Sequence, residues 1–91
     1  MHYVYILKSK KDNQLYIGYT NDLRRRIKEH EVGENQSTKS RRPLKLVYYE
    51  AYRSKDDARK RENMLKLRTE ALKGLKRRIR GSIEGILTTH E

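Results

Sequence analysis

Apolar and aromatic positions come in short blocks whose spacing changes along the chain. Tyr3-Val4-Tyr5-Ile6-Leu7 is rich in β-formers and predicts a strand. Ser9 to Gln14 is polar and carries Asp12-Asn13, a turn signal. Leu15-Tyr16-Ile17-Gly18-Tyr19 predicts a second strand, so the two runs read as an antiparallel hairpin. Leu15, Ile17 and Tyr19 fall on one face of it, Tyr16 and Gly18 on the other. A third strand is predicted over Leu44 to Tyr52. Strict alternation puts Leu44, Leu46, Tyr48 and Tyr52 on one face and Val47, Tyr49 and Ala51 on the other. Apolar residues on both faces predict a strand covered on two sides.

Elsewhere the period is helical. Thr20-Asn21-Asp22 offers N-caps, and a helix is predicted to about Val32, stopped by Gly33. Leu23, Ile27 and His30 share one face at i, i+4 and i+7, with Arg26 flanking it and Arg24, Arg25 and Lys28 turned to solvent. Glu34 to Arg42 has no apolar residue and reads as a mobile loop closed by Pro43. Ser54-Lys55-Asp56-Asp57 is a capping box that opens a second helix to about Leu67, with Ala58, Glu62 and Leu65 on one side. Ala71, Leu72, Leu75 and Ile79 predict a third helix ending at Gly81. Residues 82–91, with Ile86 and Leu87, are expected to fray, leaving one domain over 1–81. The order β-β-α-β-α-α predicts a small α/β (α+β) fold, a three-stranded mixed or antiparallel sheet flanked by helices.

Composition narrows what such a fold is for. At 91 residues the chain is a single domain with a thin core, burying only ~60–65% of the surface its unfolded form exposes. Cysteine is absent, which excludes a disulfide framework, a thiolate zinc site and a cysteine nucleophile. The formal net charge, 23 − 12 = +11, points to a polyanionic partner, nucleic acid before an anionic membrane surface. No run approaches the roughly 18 apolar residues of a membrane span, and the start Met-His-Tyr-Val-Tyr-Ile-Leu-Lys lacks a basic leader, so a cytoplasmic protein is expected. The five glycines are scattered, with no phosphate-binding glycine motif. Aromatic usage is skewed to seven Tyr with no Phe or Trp. Phe fills a core without needing a hydrogen-bond partner, so some of these hydroxyls are expected to serve chemistry.

Polar residues also stand where the periodicity asks for apolar ones. His30 continues the Leu23/Ile27 stripe, Arg26 borders it, and Glu62 lies between Ala58 and Leu65. A charge on a core-facing stripe is expensive unless paired or at a cleft. Each has an ordinary explanation too: an exposed i, i+4 pair of Glu62 with Lys66, a histidine at a helix end, one more solvated arginine. His2, His30 and His90 have no ligand spacing, but one carboxylate is enough for Mg²⁺, which completes its shell with water and phosphate oxygens.

Tyr3-Val4-Tyr5, Tyr16-Ile17-Gly18, Thr20-Asn21-Asp22-Leu23, Arg26, His30 and Glu62 form an ordered set that resembles the GIY-YIG nuclease superfamily over residues 3 to about 66. The chain is most similar to the small stand-alone bacterial members, and Arg41-Arg42-Pro43-Leu44-Lys45-Leu46-Val47-Tyr48-Tyr49-Glu50 also looks like that subgroup. The resemblance implies catalytic roles for Tyr5, Tyr16, Arg26, His30 and Glu62. Tyr5 and Tyr16 would line the site and help deprotonate the attacking water; Arg26 would hold the scissile phosphate. His30 would assist proton transfer or orient a tyrosine, Glu62 would bind the metal, Mg²⁺ or Mn²⁺, and Gly18 would permit close approach. Two departures stand out. Tyr3-Val4-Tyr5 replaces Gly-Ile-Tyr, and the asparagine that many members carry on a late element has no assigned counterpart. Arg24, Arg25, Lys39, Arg41, Arg42 and Lys66 are the candidate nucleic-acid contacts. The expected function is metal-dependent endonuclease cleavage of DNA, on branched, nicked or single-stranded structures in repair or recombination. The rival is a non-catalytic nucleic-acid-binding module on the same scaffold. A monomer is favoured.

Overall fold

The computed structural model describes residues 1–85; Ile86 and Leu87 lie outside the described residues. Three strands, β1 (His2–Ser9), β2 (Leu15–Thr20) and β3 (Leu44–Tyr52), form one antiparallel sheet in the order β2-β1-β3. Helix α1 (Leu23–Glu31) follows the hairpin; α2 (Lys55–Lys66), α3 (Glu70–Arg78) and α4 (Arg80–Glu84) follow β3. The small α+β order β-β-α-β-α-α stands as the pattern predicts, with α4 added after it.

The hairpin turn works through short polar side chains. The Lys11 and Asp12 N–H groups donate to Ser9 Oγ, Gln14 N–H donates to Asp12 Oδ1, and Asn13 takes φ +60°, a conformation asparagine tolerates. Asp22 caps α1 by accepting the Arg25 N–H at 3.1 Å, and Gly33 at φ +83° ends it. Ser54 Oγ accepts the Asp57 N–H at 3.1 Å at the head of α2.

One face of the sheet carries the core. Val4 and Ile6 of β1, Leu15 and Ile17 of β2 and Val47 of β3 pack against Ala58 and Leu65 of α2, Leu72 and Leu75 of α3, and Ile79. Helix α1 crosses the opposite face, where Tyr3, Tyr5, Tyr16 and Gly18 point. The central strand β1, not β3, is covered on both sides: every residue from Val4 to Ser9 is buried. Edge strand β3 leaves Leu46 and Tyr49 open to solvent.

The strict alternation predicted for β3 also fails, at Val47. Ile6 pairs with Tyr48 and Leu7 with Leu46, so Val47 is an extra residue, a β-bulge. The bulge turns Val47 to the core face beside Tyr48, and puts Leu46 and Tyr49 together on the α1 face. Glu50 lies between Tyr48 and Tyr52 on the core side. Arg61 of α2 grips its carboxylate bidentately, at 2.9 Å to each oxygen, and both tyrosine hydroxyls donate to it. Burial alone would raise the Glu50 pKa; Arg61 and the two hydroxyls outweigh it and hold the carboxyl below its ordinary range.

Two further expectations are corrected. The polar segment 34–42 is not a mobile loop: Ser9 Oγ donates to Arg41 O at 2.6 Å, Lys11 Nζ to Ser40 O at 3.0 Å and Arg41 Nε to Asp12 at 3.0 Å. These bonds clamp it to the hairpin. Nor does Gly81 end the last helix. The break comes at Ile79, which is drawn into the core, and α4 runs on through Gly81 because Ile83 packs there too.

Candidate active site

On the α1 face, β1 and β2 bring Tyr5 and Tyr16 together, and α1 lowers His30 onto them. The Tyr5 hydroxyl lies 2.8 Å from His30 Nε2, fully buried. Ring centroids are 6.3 Å apart for Tyr5–Tyr16, 5.6 Å for Tyr5–His30 and 5.2 Å edge-on for Tyr16–His30. Gly18 stands directly across from Tyr5 in the ladder. A Cβ there would lie 2.5 Å from the Tyr5 Cζ and hydroxyl oxygen, so only glycine leaves room for the ring.

Arg26 reaches the same point from one turn earlier on α1. Its Nε lies 3.0 Å from Glu29 Oε1, yet the N–H is not aimed at that oxygen, and this buried nitrogen makes no hydrogen bond. Arg26 therefore places its cation beside Tyr5 while Glu29 holds it from the other side. Burial pushes the Tyr5 phenol well above the usual tyrosine range, helped by Tyr16 and by the charge of Glu62, while Arg26 opposes the rise. Burial, and then the Arg26 cation, push His30 below its ordinary value, so the imidazole is neutral at neutral pH. A guanidinium beside the Tyr5 oxygen draws its lone pairs, which directs the phenol O–H to His30 Nε2. The opposite nitrogen then carries the proton and donates to Thr38 Oγ1, 2.6 Å away.

Thr38 is the residue the sequence does not reveal. It comes from the polar segment clamped to the hairpin, is fully buried, and fixes the His30 ring. A threonine among Ser, Lys and Arg carries no periodic signal that marks it as buried.

Glu62 is close enough to raise Tyr5, and at 7% exposure it is buried. The pair with Lys66 exists at 2.8 Å, but on a buried carboxylate, not on an open helix face. Arg59 Nε stands 4.0 Å away, and the Arg59 guanidinium carbon lies over the Tyr19 ring, whose hydroxyl meets His2 Nδ1 at 2.8 Å. Among the described residues no cluster of three His, Cys, Asp or Glu would hold a metal. Lone Glu62 therefore does not suit zinc, but it fits a hard cation that keeps its waters and takes phosphate oxygens.

The six candidate nucleic-acid contacts divide. Arg24 and Lys39 are exposed and form no ion pair among the described residues. Arg25 lies between Asp22 and Glu29 at 3.9 and 3.8 Å, and exposed Arg42 donates to Lys39 O. Arg41 and Lys66 are engaged by Asp12 and Glu62.

A small α+β domain with phenol, imidazole and guanidinium groups meeting on one sheet face is thus the class of molecule at hand. The GIY-YIG catalytic domain profile matches residues 1–78. The chain belongs to the GIY-YIG family, whose members are endonucleases that act on DNA and generally depend on a divalent metal ion. It is 50% identical over 66 residues to a UPF0213 protein of Staphylococcus haemolyticus, covering 71% of this chain and 79% of that one. It is 41% identical over 73 residues to a UPF0213 protein of Haloquadratum walsbyi, covering 79% and 81%. The solution NMR structure of a UPF0213 protein from Bacillus halodurans superposes with a TM-score of 0.57 at 36% identity, covering 98% of both chains. Among the described residues no helix is long and apolar enough to cross a membrane.

Proposed function

We propose that this chain is a metal-dependent endonuclease that hydrolyses DNA phosphodiester bonds, on branched, nicked or single-stranded structures of repair or recombination. The supporting observation is the meeting of Tyr5, His30 and Arg26 at one buried point.

Phosphodiester hydrolysis needs a route for the water proton and neutralisation of charge on the phosphoryl oxygens. Arg26, whose Nε is paired with Glu29 but whose side chain is 31% exposed, donates through its guanidinium to a non-bridging phosphate oxygen. Tyr5 is held protonated, so it acts as a relay and not as a standing phenolate. Its oxygen accepts the proton of the attacking water while its own proton passes to His30 Nε2. The neutral imidazole accepts that proton, and Thr38 steadies the resulting cation from the far nitrogen. Tyr16, half-buried beside both rings, orients the water. Gly18 leaves room for the Tyr5 ring. Glu62 would hold the metal, Mg²⁺ or Mn²⁺, which would supply Lewis-acid charge neutralisation to the phosphodiester. Arg24, Arg25, Lys39 and Arg42 contact neighbouring phosphates.

A non-catalytic binding module is the second reading, favoured by the Lys66 ammonium that already neutralises Glu62. The test is cleavage of end-labelled branched DNA by Glu62→Gln beside wild type. The endonuclease reading expects metal-dependent cleavage by wild type, its loss in the variant and near-normal DNA binding by both. Binding with no cleavage by the wild type selects the module.

A further inference from the structure

Beside the site, on the other flank of α1, an open groove of about 610 Å³ runs between α1 and β3. Its apolar lining is Tyr3, Leu23, Ile27, Leu46 and Tyr49. Tyr49 is 51% exposed, meets Tyr3 edge-on at 6.1 Å between ring centroids, and is the ladder partner of Tyr5. The bulge at Val47 brings Leu46 onto this face with Tyr49. A chain with so thin a core would gain by covering these side chains, yet among the described residues nothing does so: Leu46 and Tyr49 stay exposed.

The rim tells which partner fits. Arg24 and Lys28 line it on α1, and neither forms an ion pair among the described residues. Asp22 and Glu31 line it too: Asp22 is engaged as the α1 cap and faces Arg25, while exposed Glu31 at the far end of α1 is the one rim carboxylate without an ion pair among the described residues, so the unengaged cations outnumber it two to one. Two unengaged cations over an aromatic and aliphatic floor match a nucleic-acid strand, whose bases stack while its phosphates seek the rim.

We infer that the α1–β3 groove, with Tyr49 as its platform, is a stacking subsite for an unpaired base of the DNA strand whose phosphate is held at Arg26. The inference rests on the endonuclease reading for its ligand and adds the requirement that the bound strand be locally unpaired. A fully paired duplex keeps its bases stacked on one another and has none to offer Tyr49.

The test is equilibrium binding without metal, so cleavage plays no part. A single-stranded oligonucleotide and a blunt duplex are compared on wild type, Tyr49→Ala and Tyr49→Phe, with 2-aminopurine in the single strand reporting stacking. Tyr49→Ala should weaken single-strand binding about tenfold or more and abolish the 2-aminopurine quench, while duplex affinity stays within about twofold. Tyr49→Phe keeps the ring and should behave as wild type. Equal losses on both DNAs, or no loss on either, would overturn the subsite while leaving the endonuclease reading intact. A change in sedimentation mass on Tyr49→Ala would overturn it in favour of a second copy of the chain. Wild type that binds neither DNA removes both proposals. Wild type that stacks the base through Tyr49 but leaves branched DNA uncut when Mg²⁺ or Mn²⁺ is then added removes the endonuclease reading alone.

Discussion

Tyr5 and His30 share a buried hydrogen bond of 2.8 Å that ties the central strand to the first helix. Neither polar group is exposed, so each depends on the other for a partner, and His30 depends on Thr38 for its second. A buried hydroxyl and imidazole satisfied this way are stable, and one proton shift along the chain changes which group is charged.

In the proposed relay Thr38 positions His30. Thr38→Val leaves His30 Nδ1–H without a partner, which should cost ~1–3 kcal/mol and lower Tm by at least about 4 °C. Cleavage should fall further than stability explains, and the pH–rate profile should shift because the ring is no longer held in one tautomer. Thr38→Ser keeps the oxygen and should restore the profile. An unchanged profile in Thr38→Val would show that Thr38 only fills space.

His30 gives a pH signature. Its folded pKa lies below the ordinary 6.5, with burial the main cause. Between that lowered value and 6.5 the unfolded state binds more protons than the folded one, so stability rises with pH across this window. Thermal melts should show Tm falling as pH drops below about 6.5. His30→Gln should flatten that slope, and an unaltered slope would place its origin elsewhere.

Gly18→Ala is a steric test of the same cluster. The new Cβ would meet the Tyr5 ring at 2.5 Å, and the ring is packed on every side. Overpacking of this kind costs ~1–3 kcal/mol. Single-turnover cleavage should drop by at least about tenfold because the hydroxyl is displaced from His30. Alanine tolerated with full activity would contradict the crowding.

Most of this arrangement is legible in the sequence where a period exposes it. His30 and Glu62 stand out because each interrupts an apolar stripe, and both are buried. The caps at Asp22 and Ser54 are local chemistry and follow from residue type. What escapes the sequence depends on distant partners. The Val47 bulge is set by packing against α2 and α3, not by alternation. Thr38 is buried because segment 34–42 is bonded to a hairpin far away in the chain. Continuation of α4 through Gly81 depends on Ile83 finding the core.

In the proposed site Lys66 competes with the metal for Glu62. Its ammonium lies 2.8 Å from the carboxylate but is half exposed. Lys66→Gln should tighten Mg²⁺ or Mn²⁺ binding severalfold by calorimetry, the scale of a partly exposed pair worth up to ~1 kcal/mol. Weaker binding would mean that Lys66 assists the metal site.

Single-turnover cleavage of a branched DNA, with Tm measured on the same samples, tests the role proposed for the Tyr5, Tyr16 and Arg26 cluster most directly. Tyr5→Phe and Tyr16→Phe remove one hydroxyl each and leave the ring. Arg26→Ala removes the cation. The account predicts wild-type cleavage that falls by ~10² or more in each variant, with DNA affinity changed only modestly. Phe variants that melt lower yet cut as fast as wild type would contradict it, and would make the tyrosines structural.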